Sequence, residues 1–234
     1  LHDLLVDKFQ NMFVDKMERS LFFKQVIEDW LNGSIGIFGN LSTNRLISEN
    51  ITSEEVDEKA SDVAPNPSEA QKEAGNYKMG HLRLFGMPIS IETPKGSSRT
   101  YKDANGNDGE IELKNHYGYF TNTTGNGKDG DAVDVFLGPN INDCDTVYVI
   151  DQNNADNEFD ESKIMLGFKS KKEAKDAYFS NFSKDWKGFR EITAVPLDVF
   201  KKWLYRQHKQ QKPFAEYVYI QRKKINEETL NEEE

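Results

Sequence analysis

Between residues 81 and 168 the sequence divides into seven short runs rich in apolar, aromatic and β-branched residues: 81–84, 88–92, 109–113, 117–121, 132–137, 146–150 and 163–168. Each is too short for an ordinary helix. The runs are bounded by Asn, Asp and Gly, as in 104–109 and 125–130, the residues that adopt the backbone conformations of tight turns. That texture confines this part of the chain to a compact β domain. Two helices follow it. Ser170 and Glu173 make a capping-box pattern that opens a helix reaching about Phe182. Pro196, a favoured first helical residue, opens a second that turns Phe200, Trp203 and Leu204 to one face.

The flanks read differently. Leu5, Phe9, Met12, Phe13, Met17, Leu21, Val26 and Trp30 recur three or four apart, the spacing of an amphipathic helix or helical hairpin. Gly33, Gly36 and Gly39 interrupt it, and residues 51–67, acidic and Ser-rich up to Pro65 and Pro67, read as a linker. The resulting organisation is a helical segment over 1–50, a linker over 51–67, a β-rich domain over 68–220 and an acidic, disordered tail over 221–234. A start at Leu1 without an initiator Met suggests that the chain is a piece of a longer protein, with the first segment the end of a preceding module.

Composition removes several classes of function. No apolar run is long enough to span a bilayer, and no secretory leader is visible. Cys144, the lone cysteine, has no partner for a disulfide, which points to the cytoplasm. A formal charge of -10 opposes broad contact with a polyanion, so direct nucleic-acid binding is disfavoured. The Lys, Arg and Tyr residues of 201–224 then read as a solvated helix face.

The chemistry is concentrated in Lys128-Asp129-Gly130-Asp131-Ala132-Val133-Asp134-Val135-Phe136-Leu137, where three carboxylates crowd a turn that enters an apolar strand. Hard divalent cations relieve such repulsion, so a metal site is one reading. A solvated Asp-Gly turn is the other. Asp103, Asn105 and Asn107 begin like a calcium loop, but Asp108 and Lys114 stand where Gly and Glu are needed, leaving a hairpin turn. The four histidines lack ligand spacing, although His116 adjoins the segment Tyr117-Gly118-Tyr119-Phe120.

That segment, followed by the Asp129, Asp131 and Asp134 run, resembles the signature of the family I soluble inorganic pyrophosphatases. Ser90-Ile91-Glu92-Thr93-Pro94 is similar to the family's Glu-x-Pro strand, with Arg99 as the following basic residue and Lys102 close by. Val147-Tyr148-Val149-Ile150-Asp151 resembles a strand ending in a further metal-site Asp. Phe159-Asp160-Glu161-Ser162-Lys163 resembles its acidic-x-Lys element, with Asp160 and Glu161 both open as the carboxylate. Asn181-Phe182-Ser183-Lys184-Asp185-Trp186-Lys187 looks like the end of its C-terminal helix, with Phe182-Ser183 in place of Tyr-Lys and no counterpart of one usual Arg. Over 66–217 the chain more closely resembles the pyrophosphatase-like domain of phage and mobile-element polyvalent proteins.

The resemblance implies a mainly β (α+β) fold, a small closed OB-like barrel with C-terminal helices. It implies hydrolysis of pyrophosphate with two or more Mg2+, or Mn2+, held by Asp129, Asp131, Asp134 and Asp151 with Asp160 or Glu161. Asp131, Asp134 and Glu92 would serve catalysis, and Arg99, Lys102, Lys163 and Lys187 would meet phosphate. Tyr119 either donates to the leaving phosphate or is a core residue with its hydroxyl at the surface. The thinner basic side leaves open a catalytically weak or dead phosphate-binding scaffold, or another phosphoanhydride as substrate. Family members are often oligomeric, and a homo-oligomer stays open here.

Overall fold

A computed structural model describes residues 51–232, apart from 66, 69, 72–73, 103–107 and 207–210. The expected helix within 1–50 and the Asp103 loop lie outside the described residues. Strands β1 (Gly80–Leu84), β2 (Met87–Thr93), β5 (His116–Phe120), β6 (Asp134–Leu137), β7 (Thr146–Asn153), β8 (Phe159–Leu166) and β9 (Phe189–Pro196) form one sheet, in the order β1-β2-β5-β6-β8-β7-β9. The β6–β8 pair is parallel and its other neighbours are antiparallel. Strands β3 (Ser98–Lys102) and β4 (Asp108–Glu112) make a separate hairpin.

Because side chains alternate along a strand, the sheet sorts its residues onto two faces. Ile89, Ile91, Phe120, Val135, Val149 and Ile164 occupy one core. There they meet Val56 and Ala60 of α1 (Ser53–Ala60), Phe200 and Trp203 of α3 (Leu197–Leu204), and Phe214 and Val218 of α4 (Phe214–Glu232). On the opposite face Tyr117, Phe136, Tyr148, Ile150 and Met165 pack with Ala174 and Tyr178 of α2 (Lys171–Ser180).

The pairing corrects the expectation of a closed barrel. The ladder ends at β1 and β9, which are not bonded to each other among the described residues. Helices cover both faces, so the sheet buries its apolar side chains without closing on itself. The fold is mostly β with four helices.

The stretch expected to be a linker contains α1. Thr52 Oγ1 accepts the Glu55 N–H at 3.2 Å and Glu55 Oε2 accepts the Thr52 N–H at 2.7 Å, a complete capping box. The helix packs so close to β1 that a Cβ at Gly80 would stand 2.2 Å from the Lys59 carbonyl oxygen. Backbone helix also continues through most of the expected tail, since α4 runs to Glu232. Ser170 caps α2 as expected, its Oγ accepting the Glu173 N–H at 3.1 Å, whereas Pro196 precedes α3 as its cap.

Candidate active site

The Tyr-Gly-Tyr segment is strand β5, at the middle of the helix-flanked sheet. Gly118 there pairs with Ile91 of β2, and a Cβ on it would lie 1.9 Å from the Ser90 carbonyl oxygen. Only glycine permits that approach. Tyr117 and Tyr119 therefore project together from the other face, opposite Phe136 and Asp134 of β6.

Tyr117, not Tyr119, enters the polar cluster. Its Oη donates to Asp134 Oδ2 at 2.6 Å. Lys163 Nζ bonds the same oxygen, reaches Glu161 Oε1 at 2.7 Å and lies 3.4 Å from the Tyr117 hydroxyl. The Arg99 guanidinium, carried on β3, sits 4.7 Å from the Tyr117 ring centre. Tyr119 points its hydroxyl at Met79 Sδ, 3.7 Å away.

The electrostatics follow from this crowding. Burial alone would lower the Lys163 ammonium, but Tyr117, Asp134 and Glu161 outweigh it and hold it well above its ordinary range. Burial pushes the Tyr117 hydroxyl far up, so it remains a neutral donor. Glu161 is lifted by burial and by Asp134 and Asp160, against Lys163, since one ammonium cannot neutralise two carboxylates. Glu92, at the end of β2, is lifted by burial and by Asp134 and Asp131, against Arg99 and Lys163.

Other expected residues lie elsewhere. Asp129 and Asp131 are exposed, and Asp129 Oδ1 accepts the Asp131 N–H at 3.1 Å, shaping the turn. A Cβ at Gly127 would lie 3.0 Å from that oxygen and 3.3 Å from Glu161 Cβ, so the acidic loop packs directly on β8. Asp160 alternates with Glu161, which leaves Glu161 as the carboxylate beside Lys163. Lys187 is exposed on the loop after α2, and the Lys102 side chain is outside the described residues.

Asp151 is not brought to the cluster. Alternation sets it with Val147 and Val149 on the opposite face, fully buried. There it accepts the Ser162 hydroxyl and the main-chain N–H groups of Phe214 at 2.9 Å and Ala215 at 3.1 Å. Burial raises its carboxyl in spite of these bonds.

Residues 69–205, more than half of the chain, match the model of a family described as Inorganic Pyrophosphatase. The chain belongs to the inorganic pyrophosphatase family. No curated protein matches it. In this pyrophosphatase-family chain Glu92, Asp131, Asp134 and Glu161 outnumber Arg99 and Lys163, and their hard oxygens suit a divalent cation in kind. Among the described residues, however, no three carboxylate, histidine or cysteine groups come together as a metal-holding set. No described helix is long and apolar enough to cross a membrane.

Proposed function

We propose that the chain hydrolyses inorganic pyrophosphate to two phosphates with the help of Mg2+ or Mn2+. The observation that carries this reading is Lys163, buried between Asp134 and Glu161 beneath Tyr117 and Arg99, inside the residues that match the family. Lys163 and Arg99 supply fixed positive charge for phosphoryl oxygens, and Arg99 offers paired donors to one of them. Tyr117, kept neutral, orients Asp134 and donates within the site. Phe182 and Trp186, stacked with ring centres 4.8 Å apart, pack against the core cluster that includes Tyr117.

The surplus of carboxylate would repel a pyrophosphate anion, so this chemistry calls for added positive charge. Asp131 and Asp134, with Asp129, Glu92 and Glu161, are the residues we assign to a divalent cation, on the strength of the sequence resemblance. When bound, it would neutralise substrate charge and make water more acidic. The same proposal places the domain in the cytoplasm, on the strength of its single cysteine, and in a longer phage or mobile-element protein, on the strength of sequence resemblance.

Phosphate release from pyrophosphate, followed with and without Mg2+, tests the reading. Release should require the cation and drop about a hundredfold or more in Asp134→Ala. No release by the intact protein would leave a phosphate-binding scaffold as its function.

A further inference from the structure

One buried titratable residue beside the cluster has no part in that chemistry. His116, 8 % exposed, begins β5 directly before Tyr117. Its Nε2 meets Asp57 Oδ1 of α1 at 2.7 Å, and its Nδ1 accepts the main-chain N–H of Lys95 at 3.0 Å. A ring nitrogen that accepts a main-chain N–H carries no proton, so the hydrogen sits on Nε2 and points to Asp57. The carboxylate thereby fixes both the tautomer and the plane of the ring.

What the ring holds is one foot of the β3–β4 hairpin. Gly96 donates to the Leu113 carbonyl at 2.8 Å and Leu113 donates to the Ser97 carbonyl at 2.9 Å, bonds that close the base of the hairpin on itself. The Lys95 bond to His116 instead fastens that base to the main sheet. The second foot is fastened by the residue that caps the end of α2, Asn181, whose Oδ1 accepts the N–H groups of Lys114 at 2.7 Å and Asn115 at 3.2 Å. Arg99 rides on this hairpin, and Glu92 is the penultimate residue of β2, the strand that leads into it.

We infer that His116 and Asp57 are a positioning pair that holds Arg99 over the substrate site. Helix α1, which precedes the family-matched residues, thus helps set the affinity for phosphate. Any buried histidine needs polar partners; what sets this one apart is where a partner lies, since the Lys95 N–H belongs to the loop that connects Glu92 to Arg99. The kinetic part of this inference rests on the proposed hydrolysis, while its structural part stands apart from it.

The test exploits side-chain length. Asn places its acceptor near the position of Nδ1, whereas Gln extends its amide toward that of Nε2. His116→Asn should keep the KM for pyrophosphate within about twofold and keep the Lys95 amide slow in hydrogen exchange. His116→Gln should raise KM about three- to tenfold with little change in kcat, and speed that exchange. Asp57→Ala, which removes an exposed carboxylate and spares the core, should raise KM in the same direction and decides the matter if His116→Gln does not fold. In an Arg99→Ala background the His116→Gln effect on KM should vanish. A native KM in both His116→Gln and Asp57→Ala, equal losses in the two His116 variants, or a full effect without Arg99 would each overturn the pair. Absence of phosphate release by the intact protein would instead defeat the hydrolytic reading. Pyrophosphate affinity by calorimetry, compared across the same variants, then replaces KM, and unchanged affinity with unchanged Lys95 exchange would overturn the pair as well.

Discussion

Asp151 and Phe214, 63 residues apart, are joined by a 2.9 Å bond from the main-chain N–H of Phe214 to the Asp151 carboxylate. The same side chain takes the N–H of Ala215 and the Ser162 hydroxyl, so a buried charge anchors the start of α4. Removing it takes the acceptor from three donors, two of them buried. Asp151→Ala should cost about 3 kcal/mol in urea unfolding, and Asp151→Asn, which retains an oxygen acceptor, clearly less. A normally stable Asp151→Ala protein with weakened Mg2+ binding would restore the ligand role that the sequence resemblance implies.

Tyr117 and Tyr119 project from the same face of β5 but differ in their partners. Tyr117→Phe loses a hydrogen bond to a carboxylate and keeps the ring beneath Arg99. Its rate of phosphate release should fall about tenfold or more, while Tyr119→Phe stays within about twofold of the native rate. The opposite ranking would move the working tyrosine to position 119.

Glu92 links stability to pH. Burial raises its carboxyl above the free value, so the folded protein binds this proton more readily than the unfolded chain does. Stability is then greatest at acid pH on this account and is lost as pH climbs from the ordinary carboxylate range through the raised folded value. Glu92→Gln should flatten that decline and raise the melting temperature near neutral pH. Calorimetry from about pH 4.5 to about pH 8 would show it. Mg2+ should stabilise the native protein more at the neutral end, where the carboxylates are charged, and stabilise the variant less.

Gly118→Ala asks a methyl group to occupy the space of the Ser90 carbonyl oxygen, 1.9 Å from its ideal position. Strands β2 and β5 would have to separate. The expected loss is about 3 kcal/mol, measurable as a lower urea midpoint, together with impaired hydrolysis because Tyr117 and Glu92 sit on the two displaced strands.

The sequence made much of this architecture readable where the pattern was local. Runs of β-branched and aromatic residues marked the central strands, and Ser170 with Glu173 marked the start of α2. Strand β9 is an edge strand with an irregular alternation, which hides it from a period-two search. Helix α1 was concealed by its acidic, Ser-rich composition, although Thr52 and Glu55 carried a capping signal that distinguishes it from a linker.

In the candidate site, Asp134, Lys163, Glu92 and Arg99 were singled out by the family resemblance, and the structure brings them into one neighbourhood. Tyr117 was passed over for Tyr119 because identical residues two apart share a face and only tertiary packing separates their roles. Alternation from Val147 and Val149 held the clue that Asp151 faces away from Lys163. A barrel, whose polar site lies at one end, obscured that distinction, and a two-faced sheet makes it decisive.

Helix α1 has a consequence for where this domain should be said to begin. A truncation starting at residue 69 would remove Val56 and Ala60 from the core and Asp57 from His116. It would also remove the Lys59 carbonyl from its close approach to Gly80. The segment that matches the family model is therefore shorter than the packed unit, and the residues flanking it act as a brace.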